Sequence, residues 1–120
     1  MSHTILIADD SLVIREALRA LFAREADFVV CGEAENGSEA VLKAQELHPD
    51  LIVLDLSMPL MNGLAATRVL KRLMPEVPVL MYSAYSDPST QKEACSAGAS
   101  AFVSKSEHTS VLLGKARSLV

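Results

Sequence analysis

Apolar residues fall along this chain in two alternating rhythms. Short runs rich in β-branched residues read as buried strands: Thr4-Ile5-Leu6-Ile7-Ala8, Phe28-Val29-Val30-Cys31-Gly32, Asp50 to Asp55, Val77 to Tyr82, and Ala101-Phe102-Val103. Between them apolar positions recur at helical spacing. Ile14, Ala17, Leu18, Leu21 and Phe22 form the first such stripe, with Arg15, Arg19 and Arg24 placed on the opposite face. Ser38 to Leu47 predicts a second helix with Ala40, Val41, Ala44 and Leu47 inward, closed by Pro49. Leu64 to Met74 predicts a third, stopped by Pro75, and Pro88 to Ala97 a fourth, ended by Gly98. Glu107 to Leu119 predicts the last, with Val111, Leu112, Ala116 and Leu119 inward. Five strand–helix repeats fit an α/β domain, a parallel sheet covered on both faces.

The chain of 120 residues is long enough for one core and too short for two. Half of it is apolar and 22% is charged, which excludes a disordered chain. No apolar run approaches the roughly 20 residues a bilayer requires, and Met1-Ser2-His3-Thr4 lacks a secretory signal. Cys31 and Cys95 are isolated and read as free thiols, so a cytoplasmic location is expected. The net charge of −4 argues against nucleic-acid binding by these residues themselves.

Open parallel sheets bind ligands beyond the carboxyl ends of their strands. There the first strand is followed by Asp9-Asp10, the third ends in Asp55, the fourth is followed by Ser83 and the fifth by Lys105. One Asp of the pair could cap the first helix, but two adjacent carboxylates repel without a cation between them. Hard oxygen donors suit Mg²⁺. Asp55, directly after Leu51-Ile52-Val53-Leu54, needs a partner for its half-buried charge. The first strand–helix loop has no glycine, which rules out a dinucleotide fingerprint or a P-loop. His3, His48 and His108 read as exposed structural residues. Three acids, one hydroxyl and one lysine suit phosphoryl transfer onto a carboxylate, with Asp55 as the nucleophile.

Ile7-Ala8-Asp9-Asp10-Ser11, Leu54-Asp55-Leu56-Ser57-Met58-Pro59, Met61-Asn62-Gly63, Ser83-Ala84 and Ala97-Gly98-Ala99 with Phe102-Val103-Ser104-Lys105 together resemble a response-regulator receiver domain over essentially residues 1–120. The resemblance implies a flavodoxin-like, doubly wound (βα)5 sheet in strand order 2-1-3-4-5. It implies Asp55 as phosphoacceptor, and Mg²⁺ on Asp9, Asp10, Asp55 and the backbone carbonyl of Ser57. Ser83 and Lys105 correspond to the residues that bind the phosphoryl oxygens. Ala84 is the small residue leaving room for the group, and Phe102 the rotating aromatic of a helix 4–strand 5–helix 5 switch surface. The implied partner is a sensor histidine kinase or phosphotransfer protein, with a second copy of the chain as a further candidate. Catalysis beyond the domain's own phosphorylation and dephosphorylation is not expected.

Gly63 to Arg68 and Gly98 to Phe102 are similar to receivers of the NarL/LuxR type. That similarity implies a DNA-binding output outside these residues. The alternatives are a stand-alone receiver acting through protein contacts and a Mg²⁺-dependent aspartyl-phosphate phosphohydrolase. Ser106 replaces the proline that often follows the lysine in this family, so a cis peptide is not expected there. Asp9, Asp10, Asp55 and Lys105 carry −2 of the net charge, so half the chain's acidity belongs to the candidate site.

Overall fold

A computed structural model describes residues 2–120. Strands β1 (His3–Ala8), β2 (Phe28–Ala34), β3 (Leu51–Leu54), β4 (Val79–Ser83) and β5 (Ala101–Ser104) alternate with helices α1 (Leu12–Ala23), α2 (Gly37–Leu47), α3 (Gly63–Leu73), α4 (Pro88–Ala97) and α5 (Thr109–Leu119). The strands form one parallel sheet in the order β2-β1-β3-β4-β5, the predicted topology. Among the described residues no helix is long and apolar enough to cross a membrane.

Alternation along the strands divides the core between the two faces. Ile5, Ile7, Leu51, Val53, Leu80 and Val103 pack with Leu18 and Phe22 of α1 and Leu112 and Ala116 of α5. Leu6, Ala8, Ile52, Leu54 and Val79 pack with Ala40, Val41 and Ala44 of α2 and Ala66 and Leu70 of α3. The four residues of β3 are buried on both sides, which explains their unbroken apolar run. Phe22 is fully buried and meets Phe28 edge-on at 5.3 Å between ring centroids. Phe22→Ala is expected to cost about 3 to 5 kcal/mol, read as a lower urea midpoint at unchanged slope.

Local chemistry sets the helix starts. The side chains of Ser11, Asn36, Asn62 and Asp87 accept backbone N–H bonds from Ile14, Glu39, Ala65 and Thr90. Ser11 therefore caps α1, and neither Asp9 nor Asp10 is spent on that role. Gly98 ends α4 at φ 108°, a conformation glycine adopts without a Cβ penalty.

Several inward assignments need correction. Arg15 is buried with Leu18 and Phe22, not on the solvent face, while Ala17 is exposed. Leu47 and Val111 are exposed: Leu47 is the last residue of α2, and Val111 stands one position, about 100°, off the fully buried Leu112. His48, in the left-handed conformation, ends α2 one residue before Pro49. β4 starts at Val79 rather than Val77, since Pro78 precedes the paired residues. His3 is half-buried, whereas His48 and His108 are exposed.

Candidate functional site

All five strands point the same way, so their carboxyl ends share one edge of the sheet. There Asp9 follows β1, Asp55 follows β3, Ser83 closes β4 and Lys105 follows β5. The structure brings all four to that edge, together with Asp10. One carboxylate oxygen from each of Asp9, Asp10 and Asp55 lies within 4.8 Å of the others. Asp9 and Asp55 are buried, and Asp10 is exposed. Lys105 Nζ reaches Asp9 Oδ2 at 2.8 Å and Asp55 Oδ1 at 3.2 Å.

One ammonium against three carboxylates leaves the cluster short of positive charge. Burial and then the neighbouring Asp9 push the Asp55 carboxyl above its ordinary range, which Lys105 only partly offsets. Burial works against the Lys105 charge, yet the carboxylates of Asp9 and Asp55 hold its ammonium above the usual value. The donor set is therefore all oxygen, crowded and negative, which fits a hard divalent cation.

The backbone around these groups is tightly tied. Asp55 N–H donates to the Ala8 carbonyl at 2.9 Å, and Asp9 N–H to the Ala34 carbonyl at 3.0 Å. Asp9 Oδ1 accepts from Ser11 N–H at 2.9 Å. Ser83 is fully buried, and its Oγ accepts from Tyr85 N–H at 3.0 Å. Its hydroxyl proton is thus left to donate elsewhere. Lys105 N–H donates to the Ser83 carbonyl at 2.8 Å, joining the ends of β4 and β5. The Lys105 ammonium also lies 5.9 Å from the centre of the Tyr82 ring. The peptide after Lys105 is trans.

Ser57 and Asp10 line an open cleft of about 570 Å³ with Leu56, Met58, Pro59, Asn62 and Leu64. Ala84 is exposed beside Ser83. Phe102 is half-buried and lines a separate hollow of about 270 Å³ with Ala94 and Cys95 of α4.

The roles of two supporting residues escaped the reading of the sequence. The first is Arg15, whose guanidinium reaches the Asp9 carbonyl. Its signal was the spacing 15, 18, 22, which puts it on the face of Leu18 and Phe22. The second is Gly63, where a Cβ would stand 2.2 Å from the Asp55 carbonyl oxygen. No local pattern marks that approach.

Residues 5–117 match the family model of the response regulator receiver domain. The chain belongs to this family. The receiver is 41% identical over 104 residues to protein-glutamate methylesterase/protein-glutamine glutaminase 1 of Methanosarcina acetivorans. That match covers 85% of this chain and 30% of the relative, so the chain spans less than a third of that protein's length. Among solved structures the receiver is similar to a two-component response regulator of the LuxR family from Aurantimonas sp. SI85-9A1. The identity is 28% and the TM-score 0.95, over 99% of this chain and 85% of the other. It is also similar, at 28% identity and a TM-score of 0.92, to a chain of the CheX–CheY–BeF3–Mg²⁺ complex from Borrelia burgdorferi. That match covers 98% of this chain and 88% of the other.

Proposed function

We propose that Asp55 of this receiver accepts a phosphoryl group from the phosphohistidine of a sensor kinase or phosphotransfer protein, in a Mg²⁺-dependent reaction. The observation that carries this reading is the convergence of Asp9, Asp10 and Asp55 within 4.8 Å, bridged on one side only by Lys105. Asp9, Asp10, Asp55 and the Ser57 carbonyl would hold the cation. Bound there, it supplies the positive charge that offsets repulsion between the acceptor carboxylate and the incoming phosphoryl oxygens.

An Asp55 carboxylate oxygen attacks phosphorus as the donor N–P bond breaks, and the bonding pair leaves with the imidazole. Lys105 pairs with one phosphoryl oxygen, and the free hydroxyl proton of Ser83 donates to another. Ala84, without bulk beyond Cβ, leaves that space open. The modification replaces one negative charge by about −2. Drawing Ser83 and Lys105 toward it pulls on the ends of β4 and β5, and Phe102 of β5 repacks against α4. Moving a two-state surface from mostly off to mostly on takes about 5.5 kcal/mol. Two charge-assisted bonds near the upper end of their usual range, about 3 kcal/mol each, reach that.

The output of the switched α4–β5–α5 surface is proposed to be control of a DNA-binding domain outside these residues. The Gly63–Arg68 and Gly98–Phe102 patterns and the LuxR-family neighbour support that reading. A protein-contact output is the second reading, favoured by the CheX–CheY neighbour.

The test is incubation with an acyl phosphate and Mg²⁺, followed by intact-protein and peptide mass measurement. One phosphoryl group on the peptide containing Asp55 is expected, and none when Mg²⁺ is chelated. Sustained turnover of a small phosphomonoester would instead mark a phosphohydrolase.

A further inference from the structure

We infer that Arg15 is a positioning residue for the acid pair: its guanidinium fixes the peptide that joins Asp9 to Asp10. The inference rests on the proposed Mg²⁺ site and names a part of the chain that makes it.

Arg15 stands in a costly place. It lies in the first turns of α1, near the positive end of the helix dipole, with no acidic residue in the first turn to offset it. It is also buried, at 7% exposure, where an arginine loses hydration. An ion pair with Glu33 does not explain that burial. The exposed Arg19 already reaches Glu33 Oε2 at 2.7 Å. What Arg15 alone provides is a bond from Nη1 to the Asp9 carbonyl oxygen at 2.7 Å. Its Nε meanwhile donates to Glu33 Oε1 at 3.1 Å, and Nη2 faces Glu35 Oε1 at 3.5 Å. The planar fork thus ties the β1–α1 loop to the end of β2.

The consequence falls on Asp10. The Asp9 carboxylate has its own ties, to Ser11 N–H and Lys105. Among the described residues no hydrogen bond holds the Asp10 carboxylate, which is exposed. The main chain alone aims it. That main chain is the Asp9–Asp10 peptide, whose oxygen Arg15 grips, while Asp9 N–H is held by Ala34. Losing the grip lets the peptide rotate and moves one of the three acids off the shared point.

The experiment measures Mg²⁺ affinity of the unphosphorylated protein by calorimetric titration, for wild type, Arg15→Met, Arg15→Lys and Glu33→Gln. Melting in EDTA and amide exchange at Asp10 and Ser11 accompany it. Arg15→Met is expected to weaken Mg²⁺ binding about tenfold or more and to speed exchange at these two amides. Arg15→Lys, able to reach the carbonyl but not to span to Glu33, should recover part of the loss. Glu33→Gln removes the charge of the fork's anchor and should weaken binding less than Arg15→Met. A dissociation constant for Arg15→Met within about twofold of wild type overturns the proposal. So does an Arg15→Lys variant that regains the melting temperature without regaining affinity. Should Arg15→Met fail to fold, Arg15→Lys and Glu33→Gln decide, and wild-type affinity in both overturns it. Wild-type protein that binds no Mg²⁺ sinks the metal site itself, a failure distinct from equal binding by all four proteins.

Discussion

Asp55→Asn is expected to abolish phosphoryl uptake and, at the same time, to raise the melting temperature of the Mg²⁺-free protein. The two effects have one cause. The amide has nearly the shape of the carboxylate, so the packing after β3 is kept, but it is no nucleophile toward phosphorus. It also carries no charge. In the wild type, burial and the adjacent Asp9 disfavour ionised Asp55 more than Lys105 favours it, so its folded pKa lies above the ordinary 3.8. Between those two values the folded protein binds more protons than the unfolded chain. Its stability therefore falls as pH rises through that window, and the full penalty persists above it. The asparagine variant lacks this penalty. Its advantage should appear as a higher Tm at neutral pH and should vanish as pH drops below the window. Adding Mg²⁺ should narrow or reverse the order. A ligand at one hundred times its Kd stabilises by about 2.7 kcal/mol, and the variant offers it one carboxylate fewer. Thermal melts of both proteins across pH, with EDTA or Mg²⁺, test each part. An Asp55→Asn protein that melts below wild type in EDTA at neutral pH would defeat the electrostatic account. Stoichiometric uptake by the variant would defeat the assignment of the acceptor.

The reach of the sequence follows from which contacts are local. The parallel sheet was legible because strand and helix rhythms alternate from Thr4 to Leu119, whereas its strand order came only from the resemblance to receivers. The convergence of Asp9, Asp55, Ser83 and Lys105 was legible for the same reason, since parallel strands must end on one edge. Side-chain destinations at the margins were not. Leu47 and Val111 continue apolar stripes, yet one is the last residue of its helix and the other stands a position off the buried Leu112. Arg15 was placed by its charge, whereas its position three before Leu18 and seven before Phe22 put it inside. What made that tolerable is an oxygen set drawn from Asp9, Glu33 and Glu35, which only the fold assembles. Met61-Asn62-Gly63 was recognisable as part of a family pattern, but nothing near it in the chain says why glycine is required.

Close approach supplies that reason, and it yields a prediction with an internal control. Gly63 opens α3 where its N–H donates to the Leu56 carbonyl at 2.8 Å. A Cβ there would lie 2.2 Å from the Asp55 carbonyl oxygen and 2.9 Å from Leu56 Cα. Both obstacles are backbone, so no side chain can swing away. Either α3 shifts outward or the chain after β3 moves, and the second route displaces Asp55 itself. Gly63→Ala is therefore expected to cost roughly 3 kcal/mol in stability. Where the protein still folds, misplacement of the acceptor should slow phosphorylation by up to about a hundredfold. Gly114 carries the opposite expectation. It sits within α5 with nothing inside 4 Å of its would-be Cβ, and it is exposed. Gly114→Ala should stabilise by about 1 kcal/mol, the ordinary helix preference, and leave phosphorylation unchanged. Denaturant midpoints and acyl-phosphate uptake rates of the two variants, measured side by side, separate the effect of a crowded backbone from that of glycine as such. Equal shifts of the same sign would show that the approach of α3 to Asp55 places no demand on residue 63.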